Sequence, residues 1–285
     1  MKLASYTVEG ANAFGVVVGD QVVTVNKLLG PQYPTLRSVL EAAALDEIRS
    51  ATSSAQPDHK LSDLRFLPVI PNPPKILCAG LNYRSHVAET GRETPTKPSM
   101  FSRFTDTLLS HEGVMIRPSV SEQFDYEGEL AVIIGRPGRH IPAARALEYV
   151  AGYTCFNDGS VRDFQKISIT AGKNFPASAP LGPWMVTADE IPDPSKLTLA
   201  TRLNGREVQR SATDLLIYPV PTIISYVSDF TPLEPGDVIA TGTPEGVGHK
   251  RTPPLWLKAG DIIEVEISGI GTLRNRVEDE RVIPT

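Results

Sequence analysis

The chain has 285 residues, 41% of them apolar and 21% charged, with a formal net charge of −5. That much apolar sequence can build a sizeable core, which excludes a mainly disordered chain. An acidic balance with no run of lysines or arginines excludes a nucleic-acid binder and makes anionic membranes poor partners. Cys78 and Cys155 are too few for a disulfide framework and lack zinc spacing; both sit in apolar strings and read as small buried hydrophobes. No apolar run is long enough to span a bilayer and the start lacks a signal-peptide apolar region, so the expected compartment is the cytoplasm.

Proline is abundant, at 25 residues, and it punctuates the chain rather than clustering, which predicts many short elements. Near the start, "FGVVVGDQVVTV" predicts two strands around a tight Gly19–Asp20 turn. "PTLRSVLEAAALDEIRSA" predicts a helical run with leucines at 36, 40 and 45 and Thr35 as N-cap. A polar stretch over 52–63 reads as linker or surface loop, and the prolines of "LPVIPNPPK" force extended backbone into a second unit. The expected division is a small N-terminal domain, 1–70, and a second, larger domain, 71–285. In the second, "KILCAGLNY" predicts a buried strand, "YRSHVAETG" a short helix closed by Gly91, and "YEGELAVIIG" a strand running into the interior. "PAARALEYVAGYTCFND" predicts a helix and a strand end, "VRDFQ" a helical turn, and "LTLATRLNGREVQ" a hairpin at Asn204–Gly205. A proline-broken helix covers "TDLLIYPVPTIISYVSDF", and Gly-Asp turns open the strands of "EPGDVIATGTP" and "AGDIIEVEISGIG". The fold class expected is α+β and β-rich, with a closed or rolled sheet.

The sharpest chemical feature is Glu127 and Glu129, two apart at the mouth of a buried strand, where period-two geometry puts both on one face. Asp158 ends a second buried strand. Three carboxylates without His or Cys make a hard oxygen site for Mg²⁺, Mn²⁺ or Ca²⁺. Taken alone, a Glu-x-Glu is more often a solvated strand face and such an aspartate a turn cap. His86 and Glu89 have the i, i+3 spacing that lets a carboxylate orient an imidazole as general base, though a surface pair has the same spacing. Arg162 and Gln165 share that spacing, and Lys173 could place one charge in a cleft. "ATGTPEGVG" is a small-residue loop offering the Thr241 and Thr243 hydroxyls; it lacks the Gly-Lys-Ser/Thr end of a phosphate loop.

The strings "GLNYRSHVAE", "YEGELAVIIG", "GYTCFNDGSVRDFQ", "GK", "PLGPW", "LNGREVQ" and "PGDVIATGTPEGVG" occur in this order, and the chain resembles the fumarylacetoacetate hydrolase superfamily from about residue 76 to 277. The resemblance implies a mixed β-roll catalytic domain behind a small N-terminal α+β domain, assembled as a homodimer or higher homo-oligomer. It implies a Mg²⁺ or Mn²⁺ site at Glu127, Glu129 and Asp158, a catalytic His86–Glu89 pair with Lys173, and substrate contacts from Arg162, Gln165 and Thr243. After "GK" this chain has Asn174, Phe175 and Pro176 where many members have Ser-Phe-Asp, and Val161 is larger than usual; both changes bear on the pocket. The activity implied is hydrolysis of the C–C bond of an acylpyruvate or related 2,4-dioxo acid. Oxaloacetate decarboxylation and isomerisation of unsaturated 2-oxo acids use the same kind of site, and a non-catalytic binding protein is the reading from another class.

Overall fold

The computed structural model describes residues 1–281. Most strands belong to one open mixed sheet of twelve. Its central strand is Gly128–Ile134, paired antiparallel on one side with Val150–Asn157 and on the other with Val238–Ala240. Beyond Val238–Ala240 lie Ile76–Gly80, joined parallel, and Ser99–Arg103. Beyond Val150–Asn157 lie Ala179–Thr187 and then the N-terminal strands Lys2–Val8, Ala11–Val18 and Gln21–Thr24. The first strand therefore joins the sheet through Lys2↔Val186 and Leu3↔Met185. A second sheet of five strands, ordered Arg206–Ala212, Thr198–Leu203, Ile262–Ile267, Gly271–Asp279 and Val114–Arg117, packs on the first. The strands roll over one another without closing a barrel, so of the two forms the turn spacing allowed, the rolled one is found.

Both faces of Gly128–Ile134 are buried, which is why its sequence turns continuously apolar. Leu130, Val132 and Ile134 pack with Leu199, Val265 and Ile267 of the second sheet and with Ile223 and Val227 of helix Val220–Phe230. Ala131 and Ile133 face Leu36, Val39 and Ile48 of the N-terminal helices together with Val69 and Ile70. Each such side chain contributes about 1.5–3 kcal/mol by leaving water. The same alternation carries upstream: Glu127 and Glu129 fall on one face, and Gly128 points at the second sheet. There a Cβ would come within 2.1 Å of Thr201 Oγ1, so the close approach of the two sheets requires glycine.

The hairpin at Gly19–Asp20 forms with Val18 opposite Gln21, and that at Asn204–Gly205 with Leu203 opposite Arg206. Helix Arg84–Thr90 ends as expected on a left-handed Gly91, φ 68°. The single helical run expected after Thr35 is instead two helices, Leu36–Glu41 and Leu45–Thr52. Thr35 caps the first, accepting from Ser38 N at 3.1 Å while Ser38 Oγ accepts from Thr35 N at 3.0 Å. That helix stops because Ala43 turns left-handed, φ 53°, with Ala44 N donating to Val39 O and Ala43 N to Leu40 O, both at 3.0 Å. This is a Schellman stop with alanine in the place glycine usually takes. The stretch expected to be helical after Pro142 is a 3₁₀ run, Ala143–Tyr149. Both cysteines are free and buried, and no helix is long and apolar enough to cross a membrane among the described residues.

Candidate active site

The start of Gly128–Ile134 and the end of its neighbour Val150–Asn157 lie side by side, with Gly128 opposite Asn157. Asp158 N donates to Glu127 O at 2.8 Å and Glu127 N to Asn157 Oδ1 at 2.9 Å, pinning the two chain segments together. Glu127, Glu129 and Asp158 are all buried, with carboxylate oxygens within 4.8 Å of one another. Burial, then the charges of Asp158 and Glu127, push the Glu129 carboxyl well above its ordinary range. Burial opposes ionisation at Glu127 too, but the Lys173 and Arg162 cations outweigh it and hold that carboxyl below the usual range.

These cations are fixed in place. Lys173, at the end of helix Ile169–Lys173, is fully buried and donates to Glu127 Oε2 at 2.7 Å, to Asp158 O at 3.2 Å and to Asp158 Oδ2. Burial would neutralise its amine, but Asp158 and Glu127 keep it charged beyond the ordinary lysine range. Arg162, opening helix Arg162–Ile167, donates from Nη2 to Glu127 Oε1 at 2.6 Å, from Nε to Asp125 Oδ2 at 2.8 Å and from Nη1 to Gln165 Oε1 at 2.8 Å. Its guanidinium thus braces Glu127, and Gln165 keeps its amide N–H groups free. Arg103 donates to Asp158 Oδ1 and, at 3.0 Å, to Gly159 O. Four buried carboxylates, counting Asp125, face three buried cations. A divalent cation fits this donor set: all-oxygen, crowded, and one negative charge in excess once Glu129 ionises.

His86, Gln165 and Thr243 line the same cavity of about 340 Å³, and Glu89 meets it through His86. His86 is buried, with Nδ1 3.2 Å from Glu89 Oε2, and Glu89 Oε1 accepts from Gly246 N at 2.9 Å. A carboxylate only accepts, so Nδ1 is the donor, and the Nε2 lone pair of the neutral ring is the one left to take a proton. Thr243 Oγ1 accepts from Gln209 Nε2 at 2.8 Å. Gln209 also donates to Pro244 O at 3.0 Å and accepts from Gly128 N at 3.0 Å, so both its amide hydrogens are committed and its orientation is fixed. The Thr243 hydroxyl proton is consequently free for a ligand.

The sequence reading passed over Arg103, Asp125 and Gln209. Asp125 accepts from Gly248 N and His249 N as well as from Arg162, and Arg162 with His249 draws its carboxyl below the usual range against the effect of burial. Its nearness to Glu127 in "FDYEGE" was a usable signal. Arg103 reaches the site from a strand whose local sequence says nothing of it; Gln209 closes the family string "LNGREVQ", which does not by itself reveal its bond to Thr243.

A rolled two-sheet fold with a buried carboxylate triad beside a His–Glu pair is the architecture of fumarylacetoacetate hydrolase-type structures. The sequence profile of the fumarylacetoacetate (FAA) hydrolase C-terminal domain matches residues 75–278, and the chain belongs to that family. It is 39% identical over 266 residues to the oxaloacetate tautomerase Fahd2a, mitochondrial, of Rattus norvegicus, covering 91% of this chain and 85% of that protein. Among solved structures it resembles a fumarylacetoacetate hydrolase from Exiguobacterium antarcticum, with TM-score 0.86, 35% identity, and coverage of 98% of this chain and 100% of the other. It also resembles maleylpyruvate hydrolase from Sphingobium sp. SYK-6, solved with manganese(II) ion and pyruvate, with TM-score 0.83, 27% identity, and coverage of 99% and 100%.

Proposed function

We propose that this chain is a Mg²⁺- or Mn²⁺-dependent hydrolase that cleaves the C–C bond of an acylpyruvate or related 2,4-dioxo acid, giving pyruvate, or a similar keto acid, and a carboxylic acid. The observation that carries the reading is that His86, paired with Glu89, lines the cavity that the triad also lines. Glu127, Glu129 and Asp158 would hold the cation, which would supply Lewis acidity to the bound 2-oxo acid. His86 accepts a proton from water at Nε2, with Glu89 stabilising the imidazolium. The hydroxide adds to the distal carbonyl, the bond between C3 and C4 breaks, and its electron pair remains on the pyruvyl fragment as an enolate. That enolate takes at C3 the proton His86 removed from water, and the acyl fragment leaves as the carboxylic acid. Lys173 keeps positive charge beside the developing enolate, Gln165 donates a hydrogen bond, and Thr243 donates to the substrate carboxylate. Donors of this kind typically contribute about 3 kcal/mol each to the barrier.

A second reading, oxaloacetate keto–enol tautomerisation, is favoured by the likeness to the rat tautomerase; there His86 would move a proton between C3 and the keto oxygen. An absorbance panel separates the two: acetylpyruvate, oxaloacetate and a 2-hydroxymuconate analogue, in chelator and with Mg²⁺ or Mn²⁺ restored. Metal-dependent loss of the diketone with stoichiometric pyruvate supports hydrolysis. Oxaloacetate interconversion with acetylpyruvate untouched overturns it. The proposed setting is the cytoplasm, supported by two free buried cysteines, and the proposed assembly is a homodimer or higher homo-oligomer.

A further inference from the structure

A second imidazole lines the cavity and takes no part in the mechanism above. His249 lies in the loop after Thr243, and its side chain is 25% exposed. The fully buried Asp125 holds it twice: Oδ2 accepts from His249 N at 3.0 Å and lies 3.3 Å from Nδ1. Asp125 is itself fixed by Gly248 N at 2.7 Å and by Arg162 Nε at 2.8 Å, so the ring is anchored to the same brace that holds Glu127. The loop packs closely there, for a Cβ on Gly248 would come within 2.5 Å of Asp125 Oδ1 and 2.0 Å of Leu255 O. Because Asp125 only accepts, Nδ1 is the donor. Nε2 of the neutral ring keeps a lone pair with no partner among the described residues.

The lining around His249 is cationic. Arg92 and Lys166 line the cavity without a hydrogen-bond or ion-pair partner among the described residues, and Lys250 Nζ donates only to Thr90 O at 3.3 Å. Nε2 therefore needs a donor from the ligand, while its surroundings repel further positive charge. An ammonium meets the first demand and fails the second. A carboxylate has no hydrogen to give. A hydroxyl meets both, donating to Nε2 while its oxygen accepts from a neighbouring cation. We infer that His249 is a specificity-determining residue that accepts a hydrogen bond from a hydroxyl on the tail of the substrate, so that the substrate is a hydroxylated 2-oxo acid. This deepens the proposed function and rests on it for placing the 2-oxo acid end at the triad. A plain alkyl tail would cover the lone pair and leave it unpaired, which is unfavourable wherever water is displaced.

The test uses an unreactive pair that differs in one group. N-(2-hydroxyethyl)oxamate and N-propyloxamate share the carboxylate and adjacent carbonyl of a 2-oxo acid, and their tails are equal in length and end in hydroxyl or methyl. Calorimetry on the Mn²⁺-loaded protein should show the hydroxyl compound binding about threefold to tenfold more tightly, the scale of one neutral hydrogen bond. The preference should vanish in His249→Phe and His249→Leu, which lack an acceptor, and persist in part in His249→Gln, whose Oε1 can accept. Mn²⁺ affinity of the same variants reports whether Asp125 and Arg162 still hold Glu127. A merely structural role for His249 would lower that affinity and weaken both oxamates alike. Equal affinities in the parent, a preference that survives in His249→Phe and His249→Leu, or an equal weakening of the two compounds overturns the inference. In turnover, 6-hydroxy-2,4-dioxohexanoate should exceed 2,4-dioxoheptanoate in kcat/KM by a similar factor, lost in the same variants. Cleavage of neither acid while the oxamate preference stands supports the subsite and discards hydrolysis alone; cleavage of both at equal kcat/KM overturns the subsite.

Discussion

Replacing Lys173 with methionine removes one cation from the centre of the site and keeps most of the buried volume. The amine is shared between Glu127 Oε2 at 2.7 Å and the Asp158 carboxylate, and all three side chains are buried. Three carboxylates, with the raised Glu129 carboxyl beside them, would then face two cations, Arg103 and Arg162, in a setting water cannot screen. Breaking a buried pair by removing one partner costs about 3–5 kcal/mol. At roughly 2 °C per kcal/mol for a chain of this size, the metal-free variant should melt about 6–10 °C below the parent. Saturating Mn²⁺ should raise Tm in both proteins and raise it further in Lys173→Met, because the variant has more negative charge to neutralise. The assay is thermal unfolding by circular dichroism in chelator and with Mn²⁺ restored, backed by urea titration. A variant within about 1 kcal/mol of the parent in chelator, well short of the cost of a broken buried pair, or an equal Mn²⁺ shift in the two proteins, would refute the charge argument.

Gln209→Met should raise KM for the 2-oxo acid about tenfold with a smaller change in kcat, since the Thr243 hydroxyl loses the donor that aims its proton and a hydrogen bond to a charged group contributes about 1.5 kcal/mol. In a Thr243→Val background the same substitution should leave KM nearly unmoved; an equal effect in both backgrounds would show a general packing defect. His111 gives the pH prediction. Its ring accepts from Arg274 N at 3.1 Å, packs edge-on to Phe66, and has its pKa lowered by burial. The unfolded chain therefore takes up the proton first on acidification, so this contribution is full above the model-peptide pKa of about 6.5 and is lost as pH falls toward the lower folded value. The stability difference between parent and His111→Gln, read by urea titration, should shrink between pH 7 and pH 5.5; a constant difference would count against it.

What could be read in advance was local. The Gly19–Asp20 and Asn204–Gly205 hairpins, the Thr35 cap and the Gly91 stop each depend on a few neighbouring residues with one dominant geometry. The Glu127/Glu129 face followed from strand parity, and its meaning came from the ordered family strings around it. The break at Ala43 was hidden because the Schellman geometry there uses an alanine, which carries a helix-favouring signal. Arg103 was hidden for a different reason: it reaches Asp158, 55 residues away, from the edge strand Ser99–Arg103, where an arginine ordinarily faces solvent. Gln209 likewise lies 34 residues from Thr243 and on the other sheet. Such contacts are set by how the two sheets roll together, which no window of sequence contains.

That rolling also explains why Gly128 stands between the two glutamates. The residue separating two carboxylates on one face must point at the opposite sheet, and here that sheet comes close enough for Gln209 to accept from its amide. The backbone of the carboxylate strand and the Thr243 hydroxyl are therefore held by one amide side chain, so the proposed cation site and the proposed substrate-carboxylate site cannot drift independently. Arg162 does the same on the other flank, tying Glu127 to Gln165. A chelating 2-oxo acid needs both of its oxygens placed relative to one cation, and two crosslinks of this kind supply that fixed spacing from a scaffold whose functional side chains come from separate strands and loops.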